Sequence, residues 1–143
     1  MSQKYLNGAK IQLTAIDLEK DSALFSKWAK NGEYLRLMDS DPATMFSIKD
    51  VKDWHEKRVP KEIFFSIRTI DEGRLVGMIE IGGINTTALE GWIGMGIGQP
   101  EDWGKGYGTE ALQLVVEYAF EMLNLHRLSL SVFEYNPRAI RAY

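Results

Sequence analysis

The chain has 143 residues, 45% of them hydrophobic and 26% charged, a formal net charge of −3 and no cysteine. Such figures suit one soluble domain, here residues 1–143, with one buried core, and they exclude disulfides, thiolate metal sites and a cysteinyl acyl intermediate. The absence of a Lys/Arg cluster makes nucleic acid a poor partner, and no apolar run nears the roughly 20 residues of a membrane span.

The opening residues Met1 to Gly8 lack the apolar stretch of a signal peptide, so a cytoplasmic location with no membrane partner is expected. Ala9 to Ala15 alternates Ile11 and Leu13 with polar neighbours and predicts a first strand. Asp17 is placed to cap a helix running to about Lys30, with Leu18, Leu24, Phe25 and Trp28 as its apolar stripe. Asn31 to Ser47, with Gly32, Pro42 and several Asp and Ser residues, reads as an irregular loop. Ser47 and Asp50 form a capping box with Asp in place of Glu, opening a second helix through about Arg58. His55 falls on that helix and His126 in a distant element, so no metal site is expected.

Beyond the second helix the period changes. Glu62 to Ile70, Arg74 to Ile84 and Glu90 to Gly98 are rich in β-formers and separated by the turn signals Asp71-Glu72-Gly73 and Asn85-Thr86-Thr87, which predicts an antiparallel meander. Leu112, Val115, Val116, Ala119, Phe120 and Leu123 then mark one face of a long helix that stops near Asn124. Arg127 to Glu134 reads as another strand, and Asn136-Pro137 as the start of a last helix. The class is mixed α/β.

Between strand and helix lies Trp103-Gly104-Lys105-Gly106-Tyr107-Gly108. Glycines let backbone approach a phosphate closely, and the unbonded N–H groups of a helix start converge on an anion. A Walker A loop is excluded, because Gln99 and Gly106 stand where a glycine and a Ser/Thr are required. G-x-G-x-x-G fails as well: counted from Gly104 the sixth residue is Thr109, and counted from Gly94 it is Gln99.

The run Ile97 to Ala111, together with Asn136-Pro137-Arg138-Ala139-Ile140-Arg141-Ala142-Tyr143, resembles the GNAT N-acetyltransferases, and the predicted element order agrees. The nearer likeness is to the branch holding ribosomal-protein N-terminal acetyltransferases and spermidine acetyltransferases. Trp103 stands where the family usually has Gln or Arg. The resemblance implies the acyl-CoA N-acyltransferase fold, a mixed and mostly antiparallel sheet flanked by helices, and acetyl-CoA as cofactor. It implies that Trp103 to Thr109, with Lys105 and Tyr107 among them, hold the pyrophosphate. Met95, Gly96, Ile97 and Gly98 would hold the pantetheine arm through free backbone groups, one of them an oxyanion donor. Asn136 would contact the cofactor, and Tyr143 would protonate the departing thiolate.

An acceptor amine must lose a proton before it attacks, so a carboxylate near the sheet centre is wanted. Glu80, an acid among Val, Met and Ile, is the first candidate; Glu90 and Asp39 follow. The loop Tyr34 to Phe46 and the second helix with Trp54 match the region that lines the acceptor site in relatives. Direct attack on the thioester through a tetrahedral intermediate is expected, with a protein or peptide N-terminal amine as acceptor. The alternatives are a polyamine or aminoglycoside acceptor, and a non-catalytic CoA-binding fragment. Relatives continue past the tyrosine into two more strands, which are missing here. Either weak activity or a homodimer covering the edge of Arg127 to Glu134 is therefore expected.

Overall fold

A computed structural model describes residues 6–28, 47–59 and 61–130. Among them run β1 (Ile11–Thr14), α1 (Leu18–Trp28), α2 (Ile48–Arg58), β2 (Ile63–Thr69), β3 (Leu75–Asn85), β4 (Glu90–Ile97), a short turn of helix (Pro100–Asp102), α3 (Tyr107–Glu117) and β5 (Arg127–Ser129). The five strands form one sheet in the order β1-β2-β3-β4-β5. The pairs from β1 to β4 are antiparallel, while β5 lies parallel to β4, as a strand–helix–strand crossover through α3 requires. The meander expected from the turn signals is present.

Alternation along the strands divides the sheet into two faces. Ile11, Leu13, Ile67, Ile79, Ile81 and Ile93 join Ala111, Leu114 and Val115 of α3, and Ala119 just beyond it, in the main core. On the opposite face Phe64 packs under α2, with its ring centroid 5.5 Å from that of Trp54 and 4.6 Å from that of His55. Burial there pushes the His55 imidazole pKa down, against the opposing pull of Glu56.

Both predicted helix starts hold. Asp17 Oδ1 accepts the Glu19 and Lys20 N–H groups at 3.1 and 3.4 Å. Ser47 Oγ accepts the Asp50 N–H at 3.1 Å while Asp50 Oδ2 accepts the Ser47 N–H at 3.0 Å, a complete capping box.

Three expectations need correction. The buried face of α1 is largely polar: Asp21, Ser22, Ser26 and Trp28 are buried, whereas Leu18, Leu24 and Phe25 are half-buried. Asp21 turns inward because Arg68 of β2 meets it at 2.7 Å. The long helix is not a single α-helix to Leu123, since Tyr118–Met122 forms a wider turn in which the Leu123 N–H reaches the Tyr118 carbonyl at 3.2 Å. The extra residue in that turn shifts the stripe. Tyr118 packs edge-on against Phe65 at 5.4 Å, and Phe120, expected in the core, is 42% exposed. The helix also begins at Tyr107, two residues earlier than Thr109.

Candidate cofactor and acceptor site

The glycine loop leaves the end of β4 and is tied down at three points. Trp103 Nε1 donates to the Ile97 carbonyl at 2.7 Å, which turns the indole back onto the strand it has just left. Before it, buried Asp102 receives a two-pronged hydrogen bond from Arg74, with Nη1–Oδ2 and Nη2–Oδ1 both at 3.0 Å. That pairing raises the pKa of the guanidinium, and its fork geometry fixes the turn at Pro100–Asp102 to the start of β3. After Trp103, Lys10 Nζ donates to the Lys105 carbonyl at 3.0 Å.

Two glycines of the loop are conformational necessities. Gly104 has φ +76° and Gly106 φ +83°, the left-handed region that side chains disfavour. Gly106 is also the N-cap of α3, and it has no side chain to offer the helix. The helical ladder begins with the Glu110 N–H donating to the Gly106 carbonyl at 3.1 Å. The N–H groups of Tyr107, Gly108 and Thr109 precede that bond and point out of the helix end. A Cβ on Gly104 would meet no heavy atom within 4 Å, so space lies beside the loop. These features fit a pyrophosphate held by backbone donors and the helix dipole. A Cβ on Gly108 would lie 3.2 Å from Met95 Cε, so this glycine also lets the helix start approach β4 closely.

Glu110 is a residue whose role the sequence reading missed. From the first turn of α3 its Oε1 accepts the Lys10 N–H at 2.7 Å and the Ile11 N–H at 3.0 Å, so the helix start and the first strand are pinned together. Glu110→Ala is expected to cost about 1–3 kcal/mol, the size of charge-assisted bonds to amides left unsatisfied. A denaturant titration checks this, and an unchanged midpoint would show that water replaces the carboxylate.

The face of β4 opposite α3 is rich in glycine. Glu90, Trp92, Gly94, Gly96 and Gly98 alternate onto it, whereas Met95 and Ile97 turn toward the core and offer a ligand only their backbone. Glu80, level with Gly94 in the β3–β4 register, occupies the room that this glycine leaves: a Cβ there would stand 2.7 Å from Glu80 Oε1. Its carboxylate thus leans over β4 at mid-sheet. Phe64, beneath Trp54 and His55, is its neighbour on β2. Gly98 is overlain by the Trp28 ring, so its missing side chain admits α1. Glu90 lies at the far end of β4, paired with Asn85.

Among the described residues, β4 pairs with β5 over Glu90 to Trp92 and with β3 as far as Ile97. Asn136, Tyr143, Asp39 and the loop Tyr34 to Phe46 lie outside the described residues, as does the rest of the strand expected to reach Glu134. Among the described residues, no helix is long and apolar enough to cross a membrane.

Comparisons with known proteins show the family. The family model for the acetyltransferase (GNAT) domain matches residues 10–143. The probable N-acetyltransferase YjcK of Bacillus subtilis is 37% identical over 90 residues, which is 61% of this chain and 49% of that protein. The spermidine N(1)-acetyltransferase of Escherichia coli K12 is 28% identical over 113 residues, 79% of this chain and 59% of that one. The chain thus spans about half the length of the first and three fifths of the second. Among solved structures, a spermidine N-acetyltransferase from Vibrio cholerae in complex with CoA and spermine superimposes with a TM-score of 0.83 at 23% identity. That match covers 95% of this chain and 79% of the other, and is a likeness of fold.

Proposed function

The chain belongs to the GNAT acetyltransferase family, and from that premise we propose that it transfers the acetyl group of acetyl-CoA to a primary amine of a small polyamine. The observation that carries the cofactor half is the start of α3, where Gly106 caps the helix at positive φ without a side chain. An anion placed there meets unbonded N–H groups and the positive end of the helix dipole. Acetyl-CoA supplies the activated thioester; the remaining work falls to groups of this chain.

Backbone of Met95 to Ile97, which runs directly into the glycine loop, would hold the pantetheine arm and donate an N–H to the reacting carbonyl oxygen. Glu80, lying over Gly94, is positioned to take the proton of the acceptor ammonium, directly or through one water. Asn136 as a cofactor contact and Tyr143 as the acid for the thiolate rest on their place in the family motif. The acceptor reading moves from the peptide amine first expected to a polyamine, because relatives matched by sequence and by fold are named as spermidine acetyltransferases. A net charge of −3 favours a polycationic acceptor in the same direction.

A thiol-release assay with acetyl-CoA should register turnover with spermidine or spermine and little with a panel of peptide N-termini; the reverse preference would sink the acceptor assignment. Glu80→Gln should lower kcat by roughly 10²–10⁴-fold at pH 7. That deficit should shrink as the pH rises toward the amine's own pKa of about 10, where the acceptor deprotonates unaided. A constant deficit at all pH values would show that Glu80 only positions the acceptor.

A further inference from the structure

Beside the glycine loop, on the side of β1, lies a cavity of about 450 Å³ lined by Lys10, Thr69, Ile70, Asp71, Lys105 and Tyr107. Its size is within the range of small-molecule sites; Lys105 and Tyr107 on its rim belong to the loop already assigned to the pyrophosphate, while Lys10, Thr69, Ile70 and Asp71 have had no role in binding. Lys10 comes from a part of the chain 95 residues away from Lys105. Its backbone is held on both sides: the N–H donates to Glu110 Oε1 at 2.7 Å, and the carbonyl accepts the Ile70 N–H at 3.0 Å. The side chain therefore starts from a determined point and delivers its ammonium to the loop. There Nζ lies 3.3 Å from the position of a Cβ on Gly106, where α3 begins.

This placement gathers positive charge. The start of α3 carries a partial positive charge of about half a unit, the Lys10 ammonium is adjacent, and Lys105 lines the same cavity. Two acids are nearby. Glu110 Oε1 is engaged by the Lys10 and Ile11 amides, and Asp71 Oδ1 accepts the Glu72 N–H at 2.8 Å. An ammonium has three donors, and the Lys105 carbonyl takes one of them. A second anion, next to the one on the helix N–H groups, is what this arrangement suits. In coenzyme A the group bonded near the pyrophosphate and carrying such a charge is the 3′-phosphate of the ribose.

We infer that this cavity seats the 3′-phosphate of the cofactor, and that Lys10, assisted by Lys105, determines specificity for coenzyme A over its dephospho form. The inference rests on the cofactor reading above and goes beyond it, since the backbone of the loop treats the two molecules alike. Removing the ammonium should weaken coenzyme A selectively, because dephospho-coenzyme A has no group for it to pair with.

The test is isothermal titration of the full chain with coenzyme A and with dephospho-coenzyme A, for wild type, Lys10→Met and Lys10→Arg, with melting curves as a check on folding. Lys10→Met is expected to bind coenzyme A about 10- to 100-fold more weakly, the size of one charge-assisted hydrogen bond, and dephospho-coenzyme A within about twofold of wild type. Lys10→Arg should keep most of the preference. If Lys10→Met weakens both ligands equally, Lys10 merely props the Lys105 carbonyl and the assignment is overturned; unchanged affinity for both overturns it too. If wild type binds neither ligand, the cofactor reading itself has failed, an outcome distinct from a loss of discrimination alone.

Discussion

Gly106→Asp is expected to weaken coenzyme A binding by about 100-fold or more, close to 3 kcal/mol, while the melting temperature stays near that of wild type. Gly106 has φ +83° and ψ 5°, a conformation that costs most side chains about 1–2 kcal/mol but that Asp and Asn visit more readily than others. An Asp carboxylate there would sit among the N–H groups that open α3 and beside the Lys10 ammonium, and both favour a negative charge. The stability lost to backbone strain is thereby offset. The same carboxylate fills the anion's place and repels a pyrophosphate. Titration calorimetry beside thermal melting separates the two effects. Near wild-type affinity in a well-folded variant would mean that the cofactor phosphates lie elsewhere.

The second large effect is expected in the buried pair that joins α1 to the sheet. Asp21 is 2% exposed, and its carboxylate meets Arg68 Nη2 at 2.7 and 2.8 Å, Ser66 Oγ at 3.0 Å and the Asp17 N–H at 3.0 Å. Arg68 in turn donates from Nε to Thr14 Oγ1 at 3.1 Å, so β1, β2 and α1 share one network. Truncating one partner leaves the other charge buried without its counter-ion, which typically costs 3–5 kcal/mol. Asp21→Ala should therefore lower the melting temperature by on the order of 10–20 °C for a domain of this size. Replacing both partners, as Asp21→Leu with Arg68→Met, should recover much of that loss, because no uncompensated charge remains. A single-variant drop of only two or three degrees would show the pair to be well solvated.

That network also positions the candidate site. α1 packs beside α2, with Lys52 of α2 reaching Glu19 at 3.5 Å, and Trp28 at the end of α1 lies over Gly98, just before the cofactor loop. The helices over that face of the sheet thus hang on a polar anchor at one end and an indole on bare backbone at the other. Movement of α1 would be felt at both halves of the site.

Much of this architecture was legible in local patterns. The period of two in Glu62 to Gly98, broken by Asp-Glu-Gly and by Asn-Thr-Thr, predicted the meander with boundaries within a residue or two of those observed. Ser47 with Asp50 announced a capping box. The alternating glycines 104, 106 and 108 marked a tight turn into a helix, and the two with positive φ are the ones for which only glycine is comfortable. Each of these signals is written within a few residues, because dihedral preference, capping and alternation act at that range.

What local patterns did not reveal are the pairings across long stretches of chain. Arg74 with Asp102, Lys10 with Lys105, Glu110 with the amides of β1 and Asp21 with Arg68 each join residues 28 to 100 positions apart. In sequence every one of those charges reads as a solvated side chain. Phe120 went astray for a related reason, since one wide turn after Tyr118 rotated it away from the core. The sequence by itself determined that a glycine-capped helix would follow a strand and open with bare N–H groups. Only the tertiary structure decided which side chains surround that helix start, because a folded sheet sets the distance between Lys10 and Gly106 and no local propensity does.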